Sequence, residues 1–378
     1  MHHQYTIVAF SHLRWNFVYQ RPQHLLSRLG ARRRVVFIEE PEYHPGPARW
    51  ERSNPHPNVH VYHPRTPVQA PGFHASQLPA LEPLMTELRH NLNGDALLAW
   101  LYTPMALPLA RMLEPELVAY DCMDELSLFL GAPPDLLVHE ADLLQCADIM
   151  FTGGPSLHRA KQERHANVHC FPSSVDAAHF RLTDRAGRKV GEAEDQAELP
   201  HPRLGFYGVI DERLDLELLD AVAAARPQWQ LVLVGPVVKI EPDSLPRRPN
   251  IHYLGQRTYD ELPRYLAGWD VCLLPFARNG ATRFISPTKT LEYMAAELPI
   301  VSTPITDVAE PYGSIVYLGA TPVEFLAACE AALTAGPAER ARRIEQMRVV
   351  LAGTSWDATA SAMENLLTAQ FRASSARR

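Results

Sequence analysis

Short apolar runs alternate with stretches of helical period along the first half of the chain. Strand-like runs fall at residues 6–11, 34–39, 59–63, 96–102, 117–120, 149–151 and 168–171, and helical spacing appears at 21–29, 75–92, 134–146 and 155–165. The strand runs are apolar throughout instead of alternating. Strands covered on both faces read this way, so a parallel sheet with helices on each side is expected.

Residues 181–200, RLTDRAGRKVGEAEDQAELP, show no apolar period and mixed charge, and read as a linker or long surface loop. A second series follows, with strands at 204–210, 230–234, 251–254, 271–275, 300–302 and 315–318 and helices at 214–225, 259–267 and from Ser286. Three helical patterns close the chain, the last starting at Ser355–Trp356. The expectation is α/β: two doubly wound domains facing across a cleft, with ligands at the C-terminal ends of the strands. The boundaries expected are 1–180, a linker at 181–200, 201–354, and a terminal helix and tail at 355–378, for which packing back on the first domain is one option.

The stretch SPTKTLEYMAAELPIVSTP, 286–304, changes the picture from architecture to chemistry. Ser286 suits an N-cap and Pro287 the first helical position. Leu291, Met294, Ala295 and Leu298 form one apolar stripe, and Lys289 and Glu292 lie one turn apart on another face. A helix start attracts anions, and a carboxylate one turn further in can accept from two neighbouring hydroxyls. A nucleotide sugar presents phosphate beside a diol. The plain alternative is an i,i+3 ion pair between Lys289 and Glu292.

Composition narrows the classes. At 378 residues, 46% hydrophobic and 21% charged, the chain suits two globular domains. A net charge of −7 argues against a general nucleic-acid binder. The run Arg32–Arg33–Arg34 and the final Arg377–Arg378 read first as solvated, and second as contacts to an anionic membrane. Five cysteines without a C-x-x-C pair suit a reduced, cytoplasmic protein. No signal segment is visible, and the longest apolar stretch, 96–110, is broken by Thr103, Pro104 and Pro108, so any membrane role would be peripheral.

Other chemistries lack their residues. The turn after the first strand has no glycine for a dinucleotide fingerprint, Gly205 and Gly208 are wrongly spaced for one, and no P-loop pattern is present. His56, His60 and His63 read as surface histidines, and no metal site is expected. Gly153-Gly154-Pro155-Ser156 lacks the nucleophile-elbow spacing.

The string from Pro287 to Val301 resembles the donor-site signature of GT-B-fold glycosyltransferases, close to the retaining family-four (glycosyl transferases group 1) type. Ala147-Asp148-Ile149 with Ser156, the segment Pro172-Ser173-Ser174-Val175-Asp176 with Phe180, Phe206-Tyr207-Gly208, Leu233-Val234-Gly235 and 271–275 are similar to further pieces of that family. The resemblance implies two Rossmann-like domains, the second holding the donor. It places Glu292 on the ribose hydroxyls. The other slot of the family's E-x7-E pair falls on Phe284, so backbone around Ser286 and Thr288 would take over the sugar contact, or the donor sugar differs. Lys289, Arg283 and Arg213 are candidates for the diphosphate. Gly208 lies in the first turn of the second domain, and Tyr259 lies where a base could sit.

On the acceptor side the candidates are Asp124, to orient an acceptor hydroxyl, with His12 and Arg14 after the first strand. Their plain alternatives are a helix cap for Asp124 and solvated loop for the other two. Arg21 and Asp121 also fall at strand or helix ends there, and Trp15, Phe17 and Tyr19 offer an aromatic platform or simple packing. The implied activity is a metal-independent, hexosyltransferase-type transfer, without cofactor, from a UDP or GDP sugar to a glycan or lipid-linked acceptor. The site would be cytoplasmic, at or near the inner membrane face. Rival readings are a nucleotide-sugar epimerase and a catalytically silent binding subunit.

Overall fold

A computed structural model describes residues 5–92, 94–183 and 187–375. It divides into two compact units, Met1–Pro172 with Trp356–Arg378, and Ser173–Ser355.

Among the described residues the first unit carries a nine-stranded sheet. Its strands are β1 (Tyr5–Ser11), β2 (Val35–Glu39), β3 (Glu42–Tyr43), β4 (Arg49–His56), β5 (Val59–Thr66), β6 (Ala96–Leu101), β7 (Leu117–Cys122), β8 (Ile149–Thr152) and β9 (Val168–Cys170), in the order β3-β5-β2-β1-β6-β7-β8-β9 with β4 on β5. Helices α1 (Arg21–Gly30), α2 (Leu78–Asn91), α3 (Leu107–Met112), α4 (Leu136–Cys146) and α5 (Pro155–Lys161) connect them. β1 and β2 are buried at every residue, as their unbroken apolar runs require. The antiparallel strand β4 pairs with β5 and lies outside the strand runs expected from the sequence. It is polar and mostly exposed, and Pro55 is tolerated because an edge strand need not donate on both sides.

The second unit holds a parallel sheet of β10 (Arg203–Tyr207), β11 (Gln230–Val234), β12 (Ile251–Gly255), β13 (Val271–Leu274), β14 (Ile300–Ser302) and β15 (Tyr317–Leu318), ordered β12-β11-β10-β13-β14-β15. Helices α6 (Ala177–Phe180), α7 (Leu216–Ala225), α8 (Leu262–Leu266), α9 (Thr288–Ala295), α10 (Thr306–Tyr312), α11 (Pro322–Thr334) and α12 (Pro337–Ala352) belong to it. The sheet grows from β10 to β12 on one side, then returns to β13 on the other. β10 and β13 pair only at Leu204–Val271 and Gly205–Cys272, then part. Such a reversal opens a crevice at the strand ends.

Helix α13 (Trp356–Ser375) returns to the first unit. Trp356, Ala360, Met363, Leu367 and Phe371 form its buried stripe. Trp356 stacks on His24 at 4.6 Å and Phe371 on Tyr5 at 4.3 Å, while Glu364 takes Arg32 and Arg33. The basic run therefore serves partly as an anchor for this helix.

Two boundaries differ from the sequence reading. Ser173–Phe180, expected in the first domain, packs within the second unit through α6 against α9. The described residues of 181–200, expected as a linker, lie inside that unit too. Gln196 is fully buried, donates to the Tyr265 carbonyl (2.9 Å) and accepts from the Trp269 indole (3.0 Å), and Glu192 pairs with buried Arg203. A polar segment can dock when its polar groups are satisfied, and apolar periodicity does not register that.

Candidate functional site

The residues of interest gather where β10 and β13 part. Gly208 follows β10 with φ +137°, and a β-carbon there would sit 2.1 Å from Lys289 Cε and 2.6 Å from its Nζ. Gly235 follows β11 with φ +153°, and its β-carbon would meet the Gly208 carbonyl at 1.8 Å. Both positions need glycine, for conformation and for space. The bare Gly208 backbone leaves room for the Lys289 side chain at the end of β10, with its ammonium 5.7 Å from the Phe206 ring centre, and bare Gly235 leaves room for the Gly208 backbone itself.

Helix α9 presents Lys289 and Glu292. At its start Thr290 N–H donates to the Pro287 carbonyl at 3.1 Å. Pro287, not Ser286, is the N-cap, and no side chain caps the helix. The Ser286 carbonyl instead accepts from Ser173 Oγ (2.8 Å), and Thr288 Oγ1 donates to Ser173 Oγ (3.1 Å). The Ser173 segment thus pins the helix start. Leu291, Met294 and Ala295 are buried as the stripe predicts, and Leu298 is half-buried.

Glu292 is 6% exposed. Its Oε2 accepts from the Tyr207 hydroxyl at 2.6 Å. Burial pushes its carboxyl above the usual range; the Tyr207 hydrogen bond and the Lys289 charge oppose this, and Asp176 adds to it. Burial also pushes the Tyr207 phenol well above its ordinary value, with Glu292 adding to the effect, so the hydroxyl remains a donor. In the sequence Tyr207 figures only in a strand run and in the family-like string Phe206-Tyr207-Gly208, with no role of its own; its place just before Gly208 is the available signal.

The other candidates scatter. Arg213 forms a forked pair with buried Asp211, at 2.7 to 3.1 Å, and so is held in the turn after β10. Arg283 is exposed and lies 5.0 Å from the ring centre of half-buried Phe284. One face of the Tyr259 ring is covered by His179, stacked at 4.2 Å, and Phe180 meets it edge-on. Among the described residues, no group of three or more His, Cys, Asp or Glu side chains is placed to hold a metal ion.

In the first unit, half-buried His12 and Arg14 follow β1, at that sheet's own reversal between β1 and β6. Arg14 Nη1 reaches the Glu40 carbonyl (2.7 Å), Glu39 Oε2 (3.3 Å) and His63 Nε2 (2.9 Å), so it is anchored on the end of β2. Asp124 is half-buried after β7; its carbonyl accepts from Cys122 Sγ, and the following turn is capped at Glu125. Arg21 and Asp121 form a buried ion pair at 2.9 to 3.1 Å, and Arg21 also donates to the Phe171 carbonyl. Both are committed to structure. Trp15 is buried against Phe37.

Residues 201–335 match the family model described as glycosyl transferases group 1. The chain is a GT-B-fold glycosyltransferase. A Bacillus subtilis (strain 168) protein whose name assigns it to teichuronic acid biosynthesis as a glycosyltransferase is 26% identical over 275 residues, 67% of this chain and 68% of the relative. Among solved structures, this glycosyltransferase resembles Anabaena HepE in complex with UDP and glucose (TM-score 0.70, 14% identity, 97% of this chain and 100% of that one). It also resembles sucrose-phosphate synthase from Thermosynechococcus elongatus (0.69, 16%, 98% and 100%) and an α,α-trehalose-phosphate synthase from Burkholderia xenovorans in complex with glucose-6-phosphate (0.68, 13%, 96% and 99%). At these identities the structures speak for the fold of this glycosyltransferase.

Proposed function

We propose that this glycosyltransferase moves a hexosyl group from a UDP or GDP sugar to a glycan or lipid-linked acceptor in polysaccharide assembly, with retention and without a metal ion. The carrying observation is the conjunction at the sheet reversal: a lysine laid against the bare backbone of Gly208, next to a buried carboxylate. Lys289 and the start of α9 meet the diphosphate, and Glu292 meets the ribose. As the glycosidic bond breaks, negative charge builds on the leaving diphosphate, and fixed positive groups there stabilise the transition state. With Arg213 tied to Asp211, Lys289 carries the side-chain share of that charge. UDP in HepE and the teichuronic acid assignment of the Bacillus relative support the donor and product classes.

The acceptor falls to the first unit, with Asp124, His12 and Arg14 as candidates. Leu128, Leu130, Leu137 and Val138, a few residues beyond Asp124, are large apolar side chains left exposed, which suits an acceptor with a lipid part. Among the described residues no helix is long and apolar enough to cross a membrane, so that contact would be peripheral. Among the described residues no cysteine is joined in a disulfide, as suits a cytoplasmic site.

Product analysis with a panel of nucleoside-diphosphate sugars and membrane-extracted acceptors tests the reading. Free nucleoside diphosphate together with a new glycoside supports it. Interconversion of donors would instead show epimerisation, and binding without either product would show a silent subunit.

A further inference from the structure

The bond between Tyr207 and Glu292 has no counterpart in the sequence reading. Tyr207 is 3% exposed, and its ring is wedged among Phe180 (6.3 Å), Trp269 (5.9 Å) and Tyr293 (5.1 Å). Its backbone N–H points into the gap where β10 leaves β13, and donates to the Tyr293 hydroxyl at 3.2 Å. Ring and backbone are therefore both fixed, and the hydroxyl is delivered to Glu292 Oε2 from one direction. A carboxylate held at one oxygen has a fixed plane, so its remaining acceptor positions have fixed directions.

We infer that Tyr207 is a positioning residue that orients the Glu292 carboxylate to accept both ribose hydroxyls of the donor, so that the site selects ribonucleotides over 2′-deoxyribonucleotides. The inference rests on the reading of Glu292 as the ribose ligand. Among the described residues, charged and titratable groups that interact with Glu292 are Tyr207 from β10, Lys289 and Tyr293 from its own helix, and Asp176 ahead of α6. Tyr207 and Lys289 favour the ionised carboxylate; burial and Asp176 disfavour it. Removal of the hydroxyl thus leaves a carboxylate that is both unguided and easier to protonate. Protonation costs an acceptor, so donor affinity must fall as pH drops through the Glu292 pKa. In Tyr207→Phe the fall begins at higher pH than in the parent.

The test is calorimetric titration with UDP and GDP, each beside its 2′-deoxy counterpart, from pH 5 to 8. Tyr207→Phe keeps the ring and its packing, and circular dichroism checks the fold. The parent should prefer the ribonucleotide by about tenfold, a preference that Tyr207→Phe and Glu292→Gln each cut to about threefold or less. The raised acid-side fall of Tyr207→Phe should vanish in Tyr207→Phe/Glu292→Gln, because the amide does not titrate. If Glu292→Gln loses the preference while Tyr207→Phe keeps both preference and pH profile, the positioning role is wrong and the ribose reading stands. If Tyr207→Phe weakens both nucleotides equally, its role is only structural and the inference fails. If Glu292→Gln discriminates as the parent does, or neither nucleotide binds, the ribose reading fails and takes the inference with it.

Discussion

Replacing Gly208 by alanine tests the geometry that brings Lys289 to the end of β10. The new β-carbon would lie 2.1 Å from Lys289 Cε and 2.6 Å from Nζ, far inside contact distance. The backbone there, at φ +137°, is one that L-residues rarely adopt. Strain of about 1–3 kcal/mol should appear in the unfolding free energy. The lysine is the flexible partner, so it moves. A charge-assisted hydrogen bond to phosphate is worth about 1.5–3 kcal/mol, so nucleoside-diphosphate affinity should fall roughly 10- to 150-fold. Lys289→Ala should show a similar loss of affinity without the loss of stability. In the double variant, Gly208→Ala should add little further loss of binding, because the group it displaces is already gone. Calorimetry with UDP and GDP and urea denaturation of all four proteins complete the cycle. Additive losses of affinity, or a Lys289→Ala variant that binds as tightly as the parent, would refute the reasoning.

Other outcomes follow from the same structure. Asp121→Asn strands the buried Arg21 charge, and should cost about 3–5 kcal/mol in urea denaturation; a loss under about 1 kcal/mol would mean the pair is not the anchor described. Trp356→Ala removes the fully buried indole that stacks on His24, and should cost about 3–5 kcal/mol, with an unchanged melting curve as the contrary result. Leu130→Ser with Leu137→Ser alters exposed side chains, and should change stability by no more than about 0.5 kcal/mol. The same pair should lower co-sedimentation with phosphatidylcholine–phosphatidylglycerol vesicles; equal sedimentation of parent and variant would remove the lipid role of that patch.

The strands of both sheets were legible because burial on two faces leaves unbroken apolar runs, as in β1, β2, β10 and β11. The edge strand β4 was not, since its exposed side chains carry no burial signal and Pro55 reads as loop. Residues 181–200 misled for the converse reason: Gln196 is buried through hydrogen bonds, not hydrophobicity. Helical spacing places Lys289 and Glu292 one turn apart, and the structure has both on α9; their roles rest on the family resemblance. Tyr207 escaped because an apolar strand gives no hint which of its rings ends in a useful hydroxyl. Arg213 and Arg14 show the limit in the other direction. The chain offers many cations, and only the fold reveals that Asp211 holds one and the end of β2 the other.

The contact between Glu292 and the ribose is the centre of the proposed donor site. Calorimetric titration of the parent and of Glu292→Ala with UDP, GDP, ADP and TDP measures that contact without requiring the acceptor. Tight binding of at least one nucleotide by the parent, and a loss of roughly tenfold or more in the variant, are expected. Equal affinities in the two proteins would contradict that contact.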